Sequence, residues 1–213
     1  MWWPPKRIYP WHLQTNEPFP EQWDTFVASK GCEYLFAPLE LNKQHLLREG
    51  HPEEKMWITG GVVAEALEAK KHEKPTESIF TKYPQLENDA WIRMDIHRKE
   101  NQIKGRTEAI VKGVKELVEK GHKICFVEMN TTKESLERYN LMHIFDRLKE
   151  NKNFLYTPLW PEFGNVLEFY QSKHCLTALT DSGGVQEDMN LLHKPCMTAR
   201  FNTDRPETLM LEE

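Results

Sequence analysis

Residues 175–194 read CLTALTDSGGVQEDMNLLHK, and the fold class turns on how this stretch is parsed. The apolar run CLTAL predicts a short strand, and Val185, Met189 and Leu192 recur at helical spacing downstream. The two glycines therefore stand at a strand, turn, helix junction. Glycine has no Cβ and tolerates positive φ, so Gly183 and Gly184 let a ligand approach the backbone where the free amides of the helix and the positive end of its dipole face outward. A junction of this kind holds phosphate. Ser182 adds a hydroxyl donor, and a carboxylate four to six residues further on, about one turn along the helix, is spaced to accept hydrogen bonds from a sugar diol. The same letters also suit a plain tight turn followed by an acidic first helical turn, and spacing alone leaves both readings open.

Working outward, strand and helix signals alternate from about residue 90. They run AWIRMD, TEAIVKGVKELVEKG, KICFVE, KESLERYN with HIFDRLK, FLYTPL, NVLEFYQSK, CLTALT, the helix after the glycines, and PCMTA. Alternation with short turns predicts an α/β fold with a Rossmann-like parallel sheet, whose ligands bind beyond the carboxyl ends of the strands. In the helix over 107–120, Ile110, Val114, Leu117 and Val118 share one face, and Gly121 is placed to end it. A shorter pattern of the same kind covers 31–71. Residues 72–88 carry two prolines and little periodicity and read as a connection. The first thirty residues, rich in proline and tryptophan, read as a remnant with little regular structure of its own.

The bulk numbers narrow the class of partner. The 213 residues are 39% hydrophobic and 29% charged, an ordinary composition for one substantial core or one domain plus part of another. No apolar run reaches the roughly 18 residues of a membrane span, and the start lacks the pattern of a signal peptide, so a cytoplasmic protein without membrane partners is expected. A net charge of -5 and a single interrupted basic cluster, KKHEK, disfavour nucleic acid. Cys32, Cys125, Cys175 and Cys196 are too scattered for a zinc knuckle or a disulfide framework, and two of them fall inside strand signals.

Further segments, in order, carry a resemblance. DIHRKEN at 95–101 follows one strand signal, TDSGGVQED at 180–188 another, and FNTDRPETL at 201–209 the last. PFPEQ at 18–22, FAPLELNKQHLLREG at 36–50 and ITGGVVAEAL at 58–67 extend the series. Together they resemble the non-hydrolysing UDP-N-acetylglucosamine 2-epimerases, whose patterns read HRREN, TDSGGxQEE and TxRPE. FVEMN at 126–130 departs from the FPxHxN pattern usual there.

The resemblance implies a GT-B-type fold of two Rossmann-like halves with UDP in the cleft. On that basis residues 1–60 correspond to a remnant of the N-terminal domain and 61–213 to the C-terminal, UDP-binding domain. The implied reaction interconverts UDP-GlcNAc and UDP-ManNAc by loss of the C2 proton and of UDP, then re-addition, with no metal or nicotinamide cofactor. It serves surface polysaccharide biosynthesis. Matched residue by residue, His97 and Arg98 fall on the diphosphate side, Ser182, Gly183 and Gly184 on the diphosphate cradle, Asp188 on the ribose carboxylate, and Arg205 on the arginine of the same cleft. Glu21 matches a cleft carboxylate with an acid or base role, shared with His97. Phe169 is the candidate aromatic against the uracil, although its helical spacing equally suits a core position. Because other acidic positions of the family have no counterpart, two expectations stand: an epimerase family member, or a UDP-sugar binding remnant without catalysis. Either way the expected partners are a UDP-sugar and further copies of the chain, as a homo-oligomer.

Overall fold

The computed structural model describes residues 21–209. It divides into two compact units, one formed by the described residues up to Glu68 with those from Phe201 on, the other by Ala69–Arg200.

The first unit opens with helix α1 (Glu21–Gly31), where an irregular remnant was expected. The physical signals are ordinary helix punctuation: Pro20 just before the first turn, Glu21 and Asp24 within that turn, Lys30 in the last and Gly31 at the end. The proline-rich text on its N-terminal side obscured them. Strand β1 (Leu35–Ala37), helix α2 (Glu40–Arg48), strand β2 (Met56–Ile58) and helix α3 (Val62–Lys70) follow. β1 and β2 pair in parallel, with Leu35 opposite Met56 and Ala37 opposite Ile58. One side of the pair buries Leu35, Ala37 and Met56, while Phe36, at 67% exposure, and Trp57 face outward with Tyr34 beside them. Among the described residues no third strand joins this pair.

The second unit begins in the last turn of α3. Residues 72–88 form more structure than a plain connection: helix α4 (Ile79–Lys82) and a 3-10 turn over Pro84–Asn88. Single turns are too short to show periodicity, yet both are anchored by fully buried side chains, Ile79 and Leu86. Then come β3 (Trp91–Asp95), α5 (Lys104–Glu119), β4 (Ile124–Val127), α6 (Asn130–Arg138), α7 (Met142–Leu148), β5 (Phe154–Thr157), α8 (Phe163–Gln171), β6 (Cys175–Thr180), α9 (Gly183–Leu191) and β7 (Cys196–Thr198). The strands make one five-stranded sheet in the order β5-β4-β3-β6-β7, every neighbour parallel. The chain starts at the central strand, winds outward to β5, and returns to the other side of β3. This reversal makes the carboxyl ends of β3 and β6 the switch point, where the loops on either side diverge and leave a crevice.

Helices cover both faces. Ile92 and Met94 of β3, with Ile96 just beyond it, point toward α5, α6 and α7 and meet Val111, Val114, Val118, Leu136 and Phe145. α5 lays its apolar stripe on the sheet as its spacing predicts, and Gly121, at φ 93, takes the left-handed conformation that ends it. On the opposite face Trp91, Cys125, Val127 and Cys175 meet α4, α8 and α9 through Ile79, Phe169, Tyr170 and Met189. Burial raises the thiols of Cys125, to about 12, and Cys175, to about 11, so both behave as packing groups. No helix among the described residues is long and apolar enough to cross a membrane.

Candidate functional site

The loop after β3 and the turn after β6 meet at the switch point, and Asp181 joins them. Its carboxylate, fully buried, accepts from the backbone of His97 at 2.9 and 3.1 Å, from the backbone of Arg98 at 2.9 Å, and from Asn101 Nδ2 at 2.9 Å. His97 Nδ1 lies 3.4 Å from the same carboxylate, within ion-pair reach when the imidazole is protonated. Asn101 Nδ2 also donates to the carbonyl of Ala199 after β7, at 2.9 Å. From the other side Thr131 donates to the carbonyl of His97 at 3.1 Å, and Thr132 to that of Ile96. The backbone at 96–98 is therefore held from two directions, while the His97 ring stays one-third exposed.

Asp181 is not among the residues the sequence singles out, although it stands directly before Ser182. Its partners lie 80 or more residues away, and only the sheet order brings them together. One signal was available: an aspartate directly after a buried strand, in a segment of small residues, commonly answers backbone donors.

The glycine turn forms as expected, with one correction. Ser182 is the N-cap of α9: its Oγ accepts from the amide of Val185 at 3.4 Å, and its own amide donates to Thr180 Oγ1 at 3.0 Å. Gly183 and Gly184 are the first residues of the helix, and neither has the positive φ that motivated them, since the described glycines in that region are Gly50, Gly60 and Gly121. Space explains them better. A Cβ on exposed Gly184 would meet only Ser182 Oγ, at 3.8 Å, so the surface above this helix terminus is open. Free amides, dipole and room then favour an anion together.

Asp188 lies one turn further along α9 and is 9% exposed. Burial pushes its carboxyl up to about 6, the neighbouring Glu187 adds to the rise, and Arg93 opposes it. Its carbonyl accepts from the amide of Leu192 at 3.0 Å, while among the described residues its carboxylate makes no hydrogen bond or ion pair.

Phe169 is elsewhere. Its ring is fully buried beneath the sheet, 5.5 Å from Trp160 edge-on and 6.3 Å from Phe80, so it presents no face to a base. The helical period that made it a core candidate is what the fold uses. The neighbouring aromatic that does meet solvent is Phe163, 41% exposed at the first position of α8. Two site residues belong to the other unit. Glu21 is the first residue of α1, and Arg205 precedes a 3-10 turn, with its amide bonded to Thr203 Oγ1 at 3.0 Å and its Nη1 to the Asp204 carbonyl at 3.2 Å.

A doubly wound parallel sheet, with a glycine-opened helix and a pinned histidine loop at its switch point, defines a Rossmann-like α/β unit. The sequence profile of the UDP-N-acetylglucosamine 2-epimerase family matches residues 13–212, and the chain belongs to that family. It is 37% identical over 196 residues to the UDP-N-acetylglucosamine 2-epimerase of Methanocaldococcus jannaschii, covering 89% of this chain and 51% of that protein. To the Escherichia coli enzyme of the same name it is 26% identical over 205 residues, covering 90% and 50%. Among solved structures, the M. jannaschii enzyme in complex with UDP-GlcNAc and UDP superposes with a TM-score of 0.76 at 32% identity, over 89% of this chain and 51% of that one. The Neisseria meningitidis enzyme bound to UDP-GlcNAc superposes at 0.71 with 26% identity, over 94% and 52%. The chain thus spans about half the length of the curated relatives it matches.

Proposed function

We propose that this chain supplies the nucleotide-binding half of a UDP-GlcNAc 2-epimerase and binds UDP or a UDP-sugar at the carboxyl edge of its five-stranded sheet. The observation that carries this reading is the Asp181 junction, which fixes the His97 loop against the glycine-opened helix in a member of this family. The diphosphate lies against the amides of Gly183 and Gly184 and the hydroxyl of Ser182, with His97 and Arg98 as its cations. Asp188 accepts the ribose diol, and Phe163 replaces Phe169 as the aromatic offered to the base. Chemistry at the sugar requires a base for the C2 proton, loss of UDP, and re-addition with the opposite configuration. Glu21 and His97 are the groups of this chain assigned to proton transfer.

The second reading, binding without turnover, is favoured for the chain taken alone because general acid and base catalysis needs several groups placed around C2 and this set is small. The chain is further proposed to self-associate through the outward aromatic side of β1 and β2, where Phe36 and Trp57 stand exposed. Light scattering after size exclusion checks this, and a monodisperse monomer would refute it.

Calorimetric titration with UDP tests the site. Saturable binding at up to millimolar ligand is expected, with its loss in Gly184→Val. That position has room for the side chain, so the variant should fold while its methyl groups occupy the ligand's place. No heat in the wild-type chain would sink the binding reading. Incubation with UDP-GlcNAc in deuterated water separates the two catalytic readings, because even aborted turnover washes deuterium into C2.

A further inference from the structure

The carboxyl ends of β3 and β6 are joined by more than backbone. Asp95 and Thr180, the last residues of the two strands, lie opposite each other in the parallel register and are both buried, at 4% and 0% exposure. Thr180 Oγ1 donates to Oδ1 of Asp95, and Arg93, two residues earlier on β3, donates from Nη1 to Oδ2 of the same carboxylate. Behind the guanidinium, the Tyr170 hydroxyl accepts from Nη1 at 2.8 Å, and the Trp160 ring centroid lies 4.9 Å from the guanidinium carbon. In front, Thr180 Oγ1 accepts from the amide of Ser182 at 3.0 Å. Hydrogen bonds therefore run without a gap from buried Arg93 to the backbone of the glycine turn. A buried ion pair seldom stabilises a fold more than apolar residues of similar volume would, so stability alone does not account for this one.

The direction of each bond follows from its chemistry. A guanidinium carries only donors and an ionised carboxylate only acceptors, so the single hydroxyl hydrogen of Thr180 is committed to Asp95 and a lone pair is left facing Ser182. That lone pair holds the Ser182 amide inward, toward the sheet. The residue between them, Asp181, is tied by its side chain to the amides of His97 and Arg98, so the turn is fixed from both sides. Within α9, the amide of Val185 is taken by Ser182 Oγ and that of Gln186 by the Ser182 carbonyl at 3.1 Å. The amides of Gly183 and Gly184 are the ones the helix itself leaves without a partner in its first turn. We propose that Asp95 and Thr180 are positioning residues of the diphosphate site: Asp95 aims the Thr180 hydroxyl, and the hydroxyl holds the Ser182 amide so that those of Gly183 and Gly184 turn to the ligand. The inference rests on the diphosphate lying against these glycines, as proposed above.

The test uses the full chain and two measurements: calorimetric titration with UDP, and hydrogen exchange at the Ser182 amide of the ligand-free protein, each below the unfolding midpoint of the variant. Thr180→Val keeps the volume and branching of the side chain and removes both of its hydrogen bonds. Thr180→Ser keeps the hydroxyl and loses a methyl group. If Thr180 served packing alone, Thr180→Val would match wild type and Thr180→Ser would be the weaker variant. The relay reverses that order: UDP affinity should fall by about tenfold or more in Thr180→Val and stay within about threefold of wild type in Thr180→Ser. The Ser182 amide should be protected in wild type and in Thr180→Ser, and should exchange about tenfold faster in Thr180→Val and in Asp95→Asn. In Asp95→Asn the amide nitrogen, turned to Thr180 because Arg93 keeps the oxygen, frees the hydroxyl hydrogen to swing toward Ser182. Wild-type affinity in a folded Thr180→Val, or an equal loss in both Thr180 variants, overturns the proposal. If Thr180→Val does not fold, exchange decides: a Ser182 amide unprotected in wild type, or no faster in Asp95→Asn, overturns it equally. Absence of heat with UDP in wild type, beside the expected exchange pattern, instead sinks the diphosphate reading beneath it.

Discussion

On one side of β3, Ile92 and Met94 meet the valines of α5 and the phenylalanines of β4, β5 and α7 in a mainly apolar layer without a buried charge among the described residues. On the other side Trp91, Arg93 and Asp95 face α8 and α9, and a cation, a carboxylate and a phenol are buried among the apolar groups. The same strand thus serves two purposes. The apolar face is worth about 1.5–3 kcal/mol for each large side chain it buries and has little geometry to protect beyond close packing. The polar face gains less from burial and depends on each donor finding its acceptor. It also leads directly into the loops that carry His97 and Ser182. If this division of labour holds, a change on the first face should cost stability and spare ligand, whereas a change at the end of the second should cost both.

The largest effect should come from the apolar face. Phe126 is buried with Phe145 at 4.8 Å and Tyr156 at 5.4 Å between ring centroids. Phe126→Ala should destabilise the fold by about 3–5 kcal/mol, read as a lower denaturant midpoint, with UDP affinity of the folded fraction within about twofold of wild type. A collapse in affinity with little loss of stability would break the contrast.

Asp181→Ala tests the polar end. It removes the acceptor of three donors that remain buried, and each orphaned donor costs roughly 1–3 kcal/mol, partly recovered by relaxation of the loop, so a net loss of about 2–4 kcal/mol is expected. Unlike Phe126→Ala it should also weaken UDP by at least about tenfold, since His97 and Arg98 lose their anchor. Unchanged affinity would mean that the loop geometry does not depend on this carboxylate.

Much of this contrast was legible in the sequence, and the illegible part has a pattern. The alternation of strand and helix signals placed every strand of the five-stranded sheet, because parallel strands buried on both faces read as short apolar runs. Val114 and Val118 on α5 are legible from helical period, as is the start of α9 at the two glycines. What escaped depended on contacts far apart in sequence or on elements too short to repeat. Asp181 has meaning only once β3 and β6 are neighbours. Phe169 and Phe163 lie on the same helix, and letters alone did not say which of the two faced the sheet. Arg93 and Asp95 were seen only as polar letters in a strand, although their alternation with Trp91 put them on one face.

A smaller effect, in pH, sharpens the polar side of the comparison. The Asp188 carboxyl is raised to about 6 in the fold, first by burial and then by Glu187. A carboxyl whose folded value lies above its unfolded one favours the fold when protonated. Its contribution is therefore complete below about pH 4 and is lost as pH rises through about 6. Measured against Asp188→Asn, which lacks the titration, the wild-type unfolding free energy should fall by on the order of 1–2 kcal/mol between about pH 4 and about pH 7, a value already reduced for contact of the carboxyl with solvent. A difference that does not vary with pH would place Asp188 in a more solvated setting than the one described.

The smallest expected effect separates the helix cap from the ligand contact. Ser182 caps α9 with a long bond, 3.4 Å from Oγ to the Val185 amide, and a cap of that length should contribute toward the low end of the usual range. Ser182→Ala should therefore cost only about 0.5–1 kcal/mol by denaturation. The same hydroxyl, on a partly exposed residue beside the open surface at Gly184, is also proposed to donate to the diphosphate, and hydrogen bonds to charged groups contribute about 1.5–3 kcal/mol. The affinity loss should accordingly exceed the stability loss, at about tenfold or more in the dissociation constant for UDP. Ser182→Thr retains the hydroxyl and should recover most of the affinity, because threonine also caps helices and keeps the donor in place. If alanine weakens UDP by less than its cost in stability implies, the hydroxyl serves the helix alone, and the diphosphate is held by the amides of Gly183 and Gly184 without it.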